Sequence, residues 1–418
     1  MVLFRSVMVL LTILGVSNAV AQNERVTITG YGELNYISTF GTSPDEHAAE
    51  LYEEFGLIKE YAEPRNDILF PGIGLVFSAD LQEEKLTFLS EINYRTKFDR
   101  IELGIERCYL NYFVDNRLQI QTGIYSAPIG SLNVYERNHG YLSNSIRVRD
   151  MVNLDYGLIP TRILGVKVHG GFELSEVAGL NYVFSLGSGR GLTPTQSPYE
   201  IDLFEEKESS LSLSGGLELD MLIGDGELNL GISGYVVPKL TTVYLSELGM
   251  EANISDLEEL LEGEEENGII EEEDDIEVMQ MREYGIAPYL RYNCQKFEFY
   301  AELHSTVMTG LEGEVKNEAY HYTGFSTEMA YKMKVLNKKF VPYVRYDYTK
   351  LPEQGGYYYG LRSSDEQMKR YLLSDNGVLM LGASWSVFTF NKLKLEYNYV
   401  MDGPQPAHAI MFQTAFVF

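Results

Sequence analysis

The sequence is poor in cysteine and tryptophan, and beyond its first residues it has no long apolar run. Of its 418 residues, two are cysteine and one is tryptophan. Cys108 and Cys294 fall in predicted segments that are not neighbours, so we expect two unpaired thiols, and no cysteine–histidine spacing indicates a metal site. No later segment approaches the roughly 18 apolar residues of a transmembrane helix, which excludes helical membrane spans.

Positive charge is also scarce. Lysine and arginine number 33 against 61 aspartate and glutamate residues, a net charge of −28 at pH 7. This balance disfavours nucleic-acid binding, which depends on cations that neutralise phosphates. Fourteen acidic residues and no basic ones lie between Glu251 and Glu277. We interpret the surrounding segment, about 238–282, as a solvated acidic extracellular loop; the alternative is that it holds divalent cations or bridges through them to lipopolysaccharide.

The N-terminus has the layout of a secretory signal peptide. Arg5 supplies a positive charge, an apolar stretch runs over residues 7–16, and Ala19-Val20-Ala21 is a small-x-small cleavage site. Such a segment is removed before folding and is not a membrane helix. We therefore expect residues 1–21 to be the signal peptide and the mature chain to begin at Gln22.

What the chain has in abundance is period-two alternation of apolar and polar residues. In the last segment, Ile410, Phe412 and Phe416 share one face of an extended strand, and the final residue, Phe418, is aromatic. Turn signals divide the chain into about sixteen such segments, joined alternately by a tight turn and a longer loop. The 31 tyrosines are enough to form rings of aromatic side chains at the two membrane–water interfaces of a barrel. The sequence predicts an all-β fold over residues 22–418: a transmembrane antiparallel up-and-down β-barrel of about 16 strands, with short periplasmic turns and long extracellular loops.

The third extracellular loop, about residues 129–161, is the first candidate for a functional element. Charged residues concentrate in and just beyond it, and a loop folded into the barrel would set a transverse field at the narrowest point of a pore. The alternative is an outward-folded cap with solvated charges. The candidate constriction residues are Glu136, Arg137, Arg147, Arg149, Asp150 and Arg162.

Charged residues also occupy the predicted lumen face of the strands. Both signs are interspersed, which predicts a wide aqueous pore with a modest ion preference. The candidate wall residues are Glu91, Arg95, Arg107, Lys167, Arg291, Glu302, Arg345 and Asp347.

Motifs of enzyme chemistry are missing from the sequence. There is no nucleophile elbow, no phosphate-binding glycine loop and no two-histidine metal motif. Six histidines are scattered, and of these His169 and His304 are predicted to face the lumen. We expect no catalytic site, no cofactor and no metal.

Two short motifs and the terminal Phe418 carry a family resemblance. The motifs are Gly30-Tyr31-Gly32-Glu33-Leu34 in the first strand and Thr122-Gly123-Ile124-Tyr125-Ser126-Ala127-Pro128-Ile129-Gly130 before the third loop. The chain resembles Gram-negative outer-membrane porins and is similar to the phosphate-selective porin O and P type of Bacteroidetes.

That resemblance implies a function in the bacterial outer membrane. The expected activity is a water-filled channel for passive diffusion of small hydrophilic solutes or ions, among them anions such as phosphate. The expected partners are outer-membrane lipid and lipopolysaccharide, with a homotrimer as a possible assembly to which the small residues Gly30 and Gly32 point. The alternative is a non-channel barrel that acts as an adhesin or as a component of a secretion or polysaccharide-export machine.

Overall fold

The computed structural model describes the strands and the short segments that join many of them. The described residues are 26–41, 66–82, 85–97, 100–131, 133, 143–146, 160, 162–188, 211–245, 250–252, 276–312, 316–317, 319–350, 376–401 and 407–418. None of the helices in this part of the chain has the length and hydropathy that a membrane span requires. The predicted signal peptide lies outside the described residues.

Sixteen long strands form a single antiparallel sheet. In chain order they are β1 Val26–Gly41, β2 Asn66–Gln82, β3 Leu86–Lys97, β4 Arg100–Asp115, β5 Leu118–Ser126, β6 Arg162–Ser175, β7 Ala178–Ser188, β8 Leu211–Ile223, β9 Gly226–Leu245, β10 Ile276–Asn293, β11 Phe297–Glu312, β12 Ala319–Tyr331, β13 Lys338–Lys350, β14 Asn376–Phe388, β15 Asn391–Val400 and β16 Ala407–Val417. Two three-residue segments, Met250–Ala252 and Met333–Val335, pair beside β9 and β13.

The sheet closes on itself because β1 pairs with both β2 and β16. Each remaining strand pairs with the strand before it and the strand after it. The predicted antiparallel barrel is therefore confirmed. A barrel of this strand number encloses a lumen too wide for wall side chains alone to fill.

Alternation along each strand separates an apolar outer face from a polar inner face. In β15, Leu395 is 56% exposed, whereas its neighbours Lys394 and Glu396 are 1% and 0% exposed. The exposed leucine faces outward and the two charged side chains face the lumen. This inverts the pattern of a water-soluble protein and matches a barrel whose outer face contacts lipid.

The seam between the first and last strands is packed by terminal aromatic rings. The Gly30 amide donates to the Phe418 carbonyl at 2.8 Å, and the Phe418 amide donates to the Gly30 carbonyl at 2.9 Å. The Phe418 ring lies over Gly30 and the Phe416 ring over Gly32, where a Cβ would clash with them. The two glycines thus make room for the chain's own rings.

The connections depart from the predicted short–long alternation at three places. β3 ends at Lys97 and β4 begins at Arg100, β11 ends at Glu312 and β12 begins at Ala319, and β15 ends at Val400 and β16 begins at Ala407. The second, sixth and eighth outer connections are therefore short. The ends of the predicted acidic loop at 238–282 also differ from the prediction, because β9 continues to Leu245 and β10 begins at Ile276. Cys108 and Cys294 are both free thiols.

One β-bulge and one glycine reshape the wall before the third loop. The register shifts between Glu91 and Ile92 of β3, which leaves Glu106 of β4 as an extra residue beside Arg107. On the next strand Gly123 has φ +128°, and an added Cβ would meet the backbone carbonyl oxygen of Cys108. Only glycine fits this position without strain.

Substitution of Gly123 by alanine tests this backbone constraint. We expect Gly123→Ala to lower the free energy of unfolding by more than about 2 kcal/mol, because both the dihedral and the contact oppose a Cβ. Gly179→Ala is the matched control, since its nearest atom would be the Phe172 carbonyl oxygen at 3.7 Å. Urea unfolding of both variants in detergent micelles provides the measurement. Equal stability of the two variants would contradict the prediction.

Candidate pore and third-loop dock

The root of the third loop turns into the barrel directly after β5. The Gly130 amide donates to Ser233 Oγ on β9 at 2.7 Å, and the Ser131 amide donates to Glu302 Oε2 on β11 at 2.8 Å. Gly130 has φ +66°, and a Cβ there would collide with the Glu302 carboxylate. Glycine therefore allows the loop backbone to lie directly against the lumen wall.

Glu302 is the centre of a buried cluster beneath this root. Its carboxylate accepts hydrogen bonds from the Tyr300 hydroxyl, from His304 Nε2 and from the Ser131 amide. All four residues are buried. An ionised carboxylate with three donors is well satisfied in a low-dielectric site, so this cluster holds the loop root by charge-assisted hydrogen bonds.

A more distant part of the same loop docks on the opposite wall. Arg345 Nη1 on β13 donates to Ser145 Oγ at 2.9 Å, and Lys394 Nζ on β15 donates to the Ser145 carbonyl at 2.8 Å. The Ile146 amide donates to Glu396 Oε2 on β15 at 2.8 Å. β13 is eight strands along from β5 in a sheet of sixteen, so the loop reaches the far side of the lumen.

Asn144 adds side-chain contacts to the same docked segment. Its amide Nδ2 donates to Glu298 Oε2 at 2.9 Å and lies 3.4 Å from Glu328 Oε1, while Ser384 Oγ donates to its Oδ1 at 3.3 Å. These partners stand on β11, β12 and β14. Segment 143–146, which we call the docked segment, therefore contacts five consecutive strands.

The wall charges beneath the docked segment pair with one another. Arg345 forms an ion pair with Asp347, which also accepts a hydrogen bond from Ser326 Oγ at 2.6 Å. Glu396 accepts a second hydrogen bond, from the Tyr343 hydroxyl, at 2.6 Å. Removing one partner of such a buried pair costs about 3–5 kcal/mol, because the other charge is then left unpaired in the interior.

The wall from β4 to β10 instead borders a cavity of about 590 Å³. Polar and aromatic side chains line it together with the loop root at Ser126–Gly130. They include Arg107, Tyr109, Gln119, Gln121, Tyr125, Lys167, His169, Asn181, Glu218 and Tyr289. Among the described residues, the docked segment therefore lies against one side of the lumen and this cavity borders the other side.

Two cations in this cavity have different surroundings. Arg107 lies against Glu91, with Nη2 2.6 Å and Nε 2.7 Å from Glu91 Oε2. Lys167 Nζ stands 5.0 Å from the centroid of the Tyr125 ring and forms no ion pair with any described residue. The carboxylate Glu218 accepts a hydrogen bond from the Tyr289 hydroxyl at 2.6 Å.

The structure places the predicted wall residues as follows. Glu91, Glu302, Arg345 and Asp347 are buried on the inner face, and Arg107, Lys167 and Arg291 are half-buried there. Arg95 lies in β3, and its side chain is outside the described part of the structure. Glu302 and Arg345 meet the third loop, whereas Arg107 and Lys167 border the cavity.

Of the predicted constriction residues, only Arg162 is described. Its Nη1 donates to the Ile105 carbonyl at 2.7 Å and lies 3.7 Å from Glu106 Oε2, so it braces the wall at the start of β6. The others, Glu136, Arg137, Arg147, Arg149 and Asp150, lie outside the described residues. Their role in a constriction stays a prediction.

Sequence reasoning missed several residues that hold the site together. Strict alternation predicts an outward side chain at Glu106, because its neighbour Arg107 faces inward. The bulge instead turns both residues toward the lumen. Glu283 accepts a hydrogen bond from the Tyr235 hydroxyl at 2.6 Å. It is one of the alternate residues of β10 that face inward, so the alternation could have identified it. The docked segment carries no charge, so nothing in its sequence indicated that it binds the wall.

Comparison with solved structures establishes the kind of barrel. An anion-selective porin from Comamonas acidovorans aligns with a TM-score of 0.54 at 9% identity, over 94% of this chain and 99% of that one. Pseudomonas putida OprB aligns with a TM-score of 0.53 at 11% identity, over 94% of each chain. The chain has the fold of bacterial outer-membrane porins.

A third structure extends this similarity to another channel. The outer membrane channel DcaP of Acinetobacter baumannii aligns with a TM-score of 0.51 at 12% identity, over 94% of this chain and 97% of that one. No protein-family model matches the sequence. No curated protein matches it either. At such low identities the similarity to the porins concerns the fold alone.

Amide hydrogen exchange tests the anchoring of the docked segment. We expect Glu396→Gln to lower the protection of the Ile146 amide by about 1–2 kcal/mol, because a charge-assisted acceptor becomes a neutral one. Asp220→Asn is the control, since Asp220 accepts from Asn181 and Asn229 away from the loop. Unchanged exchange at Ile146 in Glu396→Gln would show that this hydrogen bond does not hold the loop.

Proposed function

We propose that this protein is an outer-membrane porin that forms a water-filled channel for passive diffusion of small hydrophilic solutes. The observation that carries the proposal is the position of the docked segment inside a lumen whose described walls also border a cavity. The docked segment lies across the β11–β15 wall, and a polar cavity of about 590 Å³ borders the β4–β10 wall. A loop that narrows a polar lumen and leaves one side open acts as a size filter.

The anchoring of the loop supports a constriction of constant width. Four backbone groups of the loop, at Gly130, Ser131, Ser145 and Ile146, are held by wall side chains at 2.7–2.8 Å. Distributed contacts of this kind keep a loop in one position, because its release requires several hydrogen bonds to break together. The loop then reduces the cross-section that a solute meets, and the charged residues around position 147 would stand near it.

The finer part of the proposal is a preference for anions, phosphate among them. Arg107 is matched by Glu91, whereas Lys167 forms no ion pair with any described residue and lies beside the Tyr125 ring and near Arg107. The carboxylates of Glu173 and Glu218 border the same cavity, so the proposed preference rests on the surroundings of Lys167 and not on the net charge of the lining. A cation without a counter-ion in a confined lumen attracts anions from solution.

Assembly and membrane partners complete the proposal. We place the barrel in outer-membrane lipid beside lipopolysaccharide, with a homotrimer as its assembly. The outward apolar side chains support contact with lipid. One structural neighbour, OmpT of Vibrio cholerae, has been solved in a trimer form, at 11% identity and a TM-score of 0.50. The proposal assigns no catalytic role to any residue.

Single-channel recording in a planar bilayer tests the channel itself. The folded protein is expected to give stable current steps in potassium chloride. Arg345→Ala, which removes an anchor of the docked segment, is expected to increase the step size or its fluctuation. Asp220→Asn is the control away from the loop. A correctly folded barrel that never conducts would contradict the porin proposal and favour the adhesin or export-machine alternative.

The reversal potential under a salt gradient tests the role of Lys167. Lys167→Glu is expected to shift the ion preference toward cations, since it reverses a charge that borders the cavity. Lys338→Glu makes the same charge change at an exposed position at the start of β13. We expect this control to have a much smaller effect, because an exposed charge in water is screened. Equal shifts in the two variants would assign selectivity to the protein's overall charge.

A further inference from the structure

Three basic side chains stand on the outer face of β10, β12 and β13, in the extracellular halves of these strands. They are Arg282 on β10, His321 on β12 and Lys350, the last residue of β13, and we call them the outer-rim patch. All three are exposed. Their inward neighbours Met281, Tyr320 and Thr349 are buried, which fixes the direction in which the three basic side chains point.

Strand register brings the patch together. Arg282 pairs with Thr309 of β11, and two residues earlier on that strand Val307 pairs with His321. On β12, Thr323 is two residues from His321 and pairs with Lys350. Residues two apart on a strand share a face, so all of these side chains point outward. His321 and Lys350 are thus diagonal neighbours, about 7–8 Å apart by sheet geometry.

Two of the strands show the same gradient toward the patch. Along β10 the outward side chains run from Ile286 through Tyr284 to Arg282. Along β13 they run from Val344 through Tyr346 and Tyr348 to Lys350. Hydrocarbon, then aromatic rings, then cations is the order of side chains that matches a membrane from its apolar core to its headgroups. The gradient places the patch at headgroup level.

The three patch side chains are unpaired among the described residues, in contrast to Arg107 and Arg345 of the lumen. Among the described residues, Arg282, His321 and Lys350 form no ion pair or side-chain hydrogen bond. In the lumen, Arg107 and Arg345 each have a carboxylate partner. The sequence has 61 acidic residues against 33 basic ones, so a lack of available carboxylates does not explain the difference. The patch is left open toward the surface that the barrel wall faces.

We propose that the outer-rim patch binds the phosphate groups of outer-leaflet lipid, the phosphorylated glucosamine headgroup of lipopolysaccharide. This inference rests on the outer-membrane placement proposed above and adds the residues that hold the partner. Arg282 offers a planar guanidinium that binds phosphate through two parallel hydrogen bonds. Lys350 adds a point charge, and His321 adds a ring donor between them.

Titration with fluorescent bisphosphorylated lipid A tests the proposal. The full-length barrel is embedded in phosphatidylcholine nanodiscs, and the double variant Arg282→Gln/Lys350→Gln is compared with the wild type. We expect about 30-fold weaker binding in the double variant, because each basic residue at an anionic lipid surface contributes about 1 kcal/mol. Lys296→Gln/Lys338→Gln removes the same charge from exposed positions at the other rim and is expected to bind as the wild type does.

Four outcomes would overturn the proposal. Three of them are unchanged affinity in the Arg282/Lys350 variant, an equal loss in the Lys296/Lys338 control, and equally tight binding of dephosphorylated lipid A. Displacement of lipid A by inorganic phosphate at the same concentration would also overturn it, since the site would then take free phosphate rather than lipid. Channel currents are recorded on the same preparations, so a barrel that binds lipid A without conducting separates failure of the porin proposal from failure of this one.

Discussion

A sheet that contacts lipid must pair every backbone amide and carbonyl within itself, because hydrocarbon offers no hydrogen-bond partners. The pairing of β1 with β16 satisfies this constraint. It extends over eleven residue pairs, from Tyr31–Val417 to Gly41–Ala407, and the terminal Phe418 adds two more backbone hydrogen bonds to Gly30. Closure removes the last open edge. It also fixes which face of every strand points inward, and the remaining features of the molecule follow from that choice.

Once the sheet is closed, the lumen has its own polar requirements. Charged side chains such as Arg345, Glu302 and Glu396 lie inside a confined space and are shielded from bulk water by the elements packed over them. They are stable there because they form hydrogen bonds and ion pairs with other wall side chains and with the third loop. The loop benefits in the same way, since its own amides at Ser131 and Ile146 are satisfied by wall carboxylates. The wall and the loop therefore stabilise each other, and neither is expected to keep its arrangement alone.

Local patterns in the sequence predict the strands well and the site only in part. Alternation and turn residues are local, so they identify the sixteen strands and the inward direction of residues such as Lys167 and Arg345. They do not show the bulge at Glu106, because an extra residue leaves the composition of the strand unchanged. Strict alternation of tight turns and longer loops also fails at the second outer connection, where only residues 98–99 separate two strands. The contact between Ser145 and Arg345 joins residues 200 positions apart, and no feature of a polar, uncharged loop segment indicates its partner.

The acidic total of the chain is a poor guide to what the lumen attracts. Fourteen of the acidic residues fall between Glu251 and Glu277, and none of them is among the residues that line the described cavity. Within the wall, Glu91 is matched by Arg107, and Asp347 by Arg345, so these pairs contribute little net field. Solutes inside a narrow lumen respond to the few charges that lack a partner, because paired charges cancel over short distances. Lys167 forms no ion pair with any described residue, and the carboxylates of Glu173 and Glu218 border the same cavity. The potential at this cavity is therefore set by these few side chains and not by the net charge of the sequence.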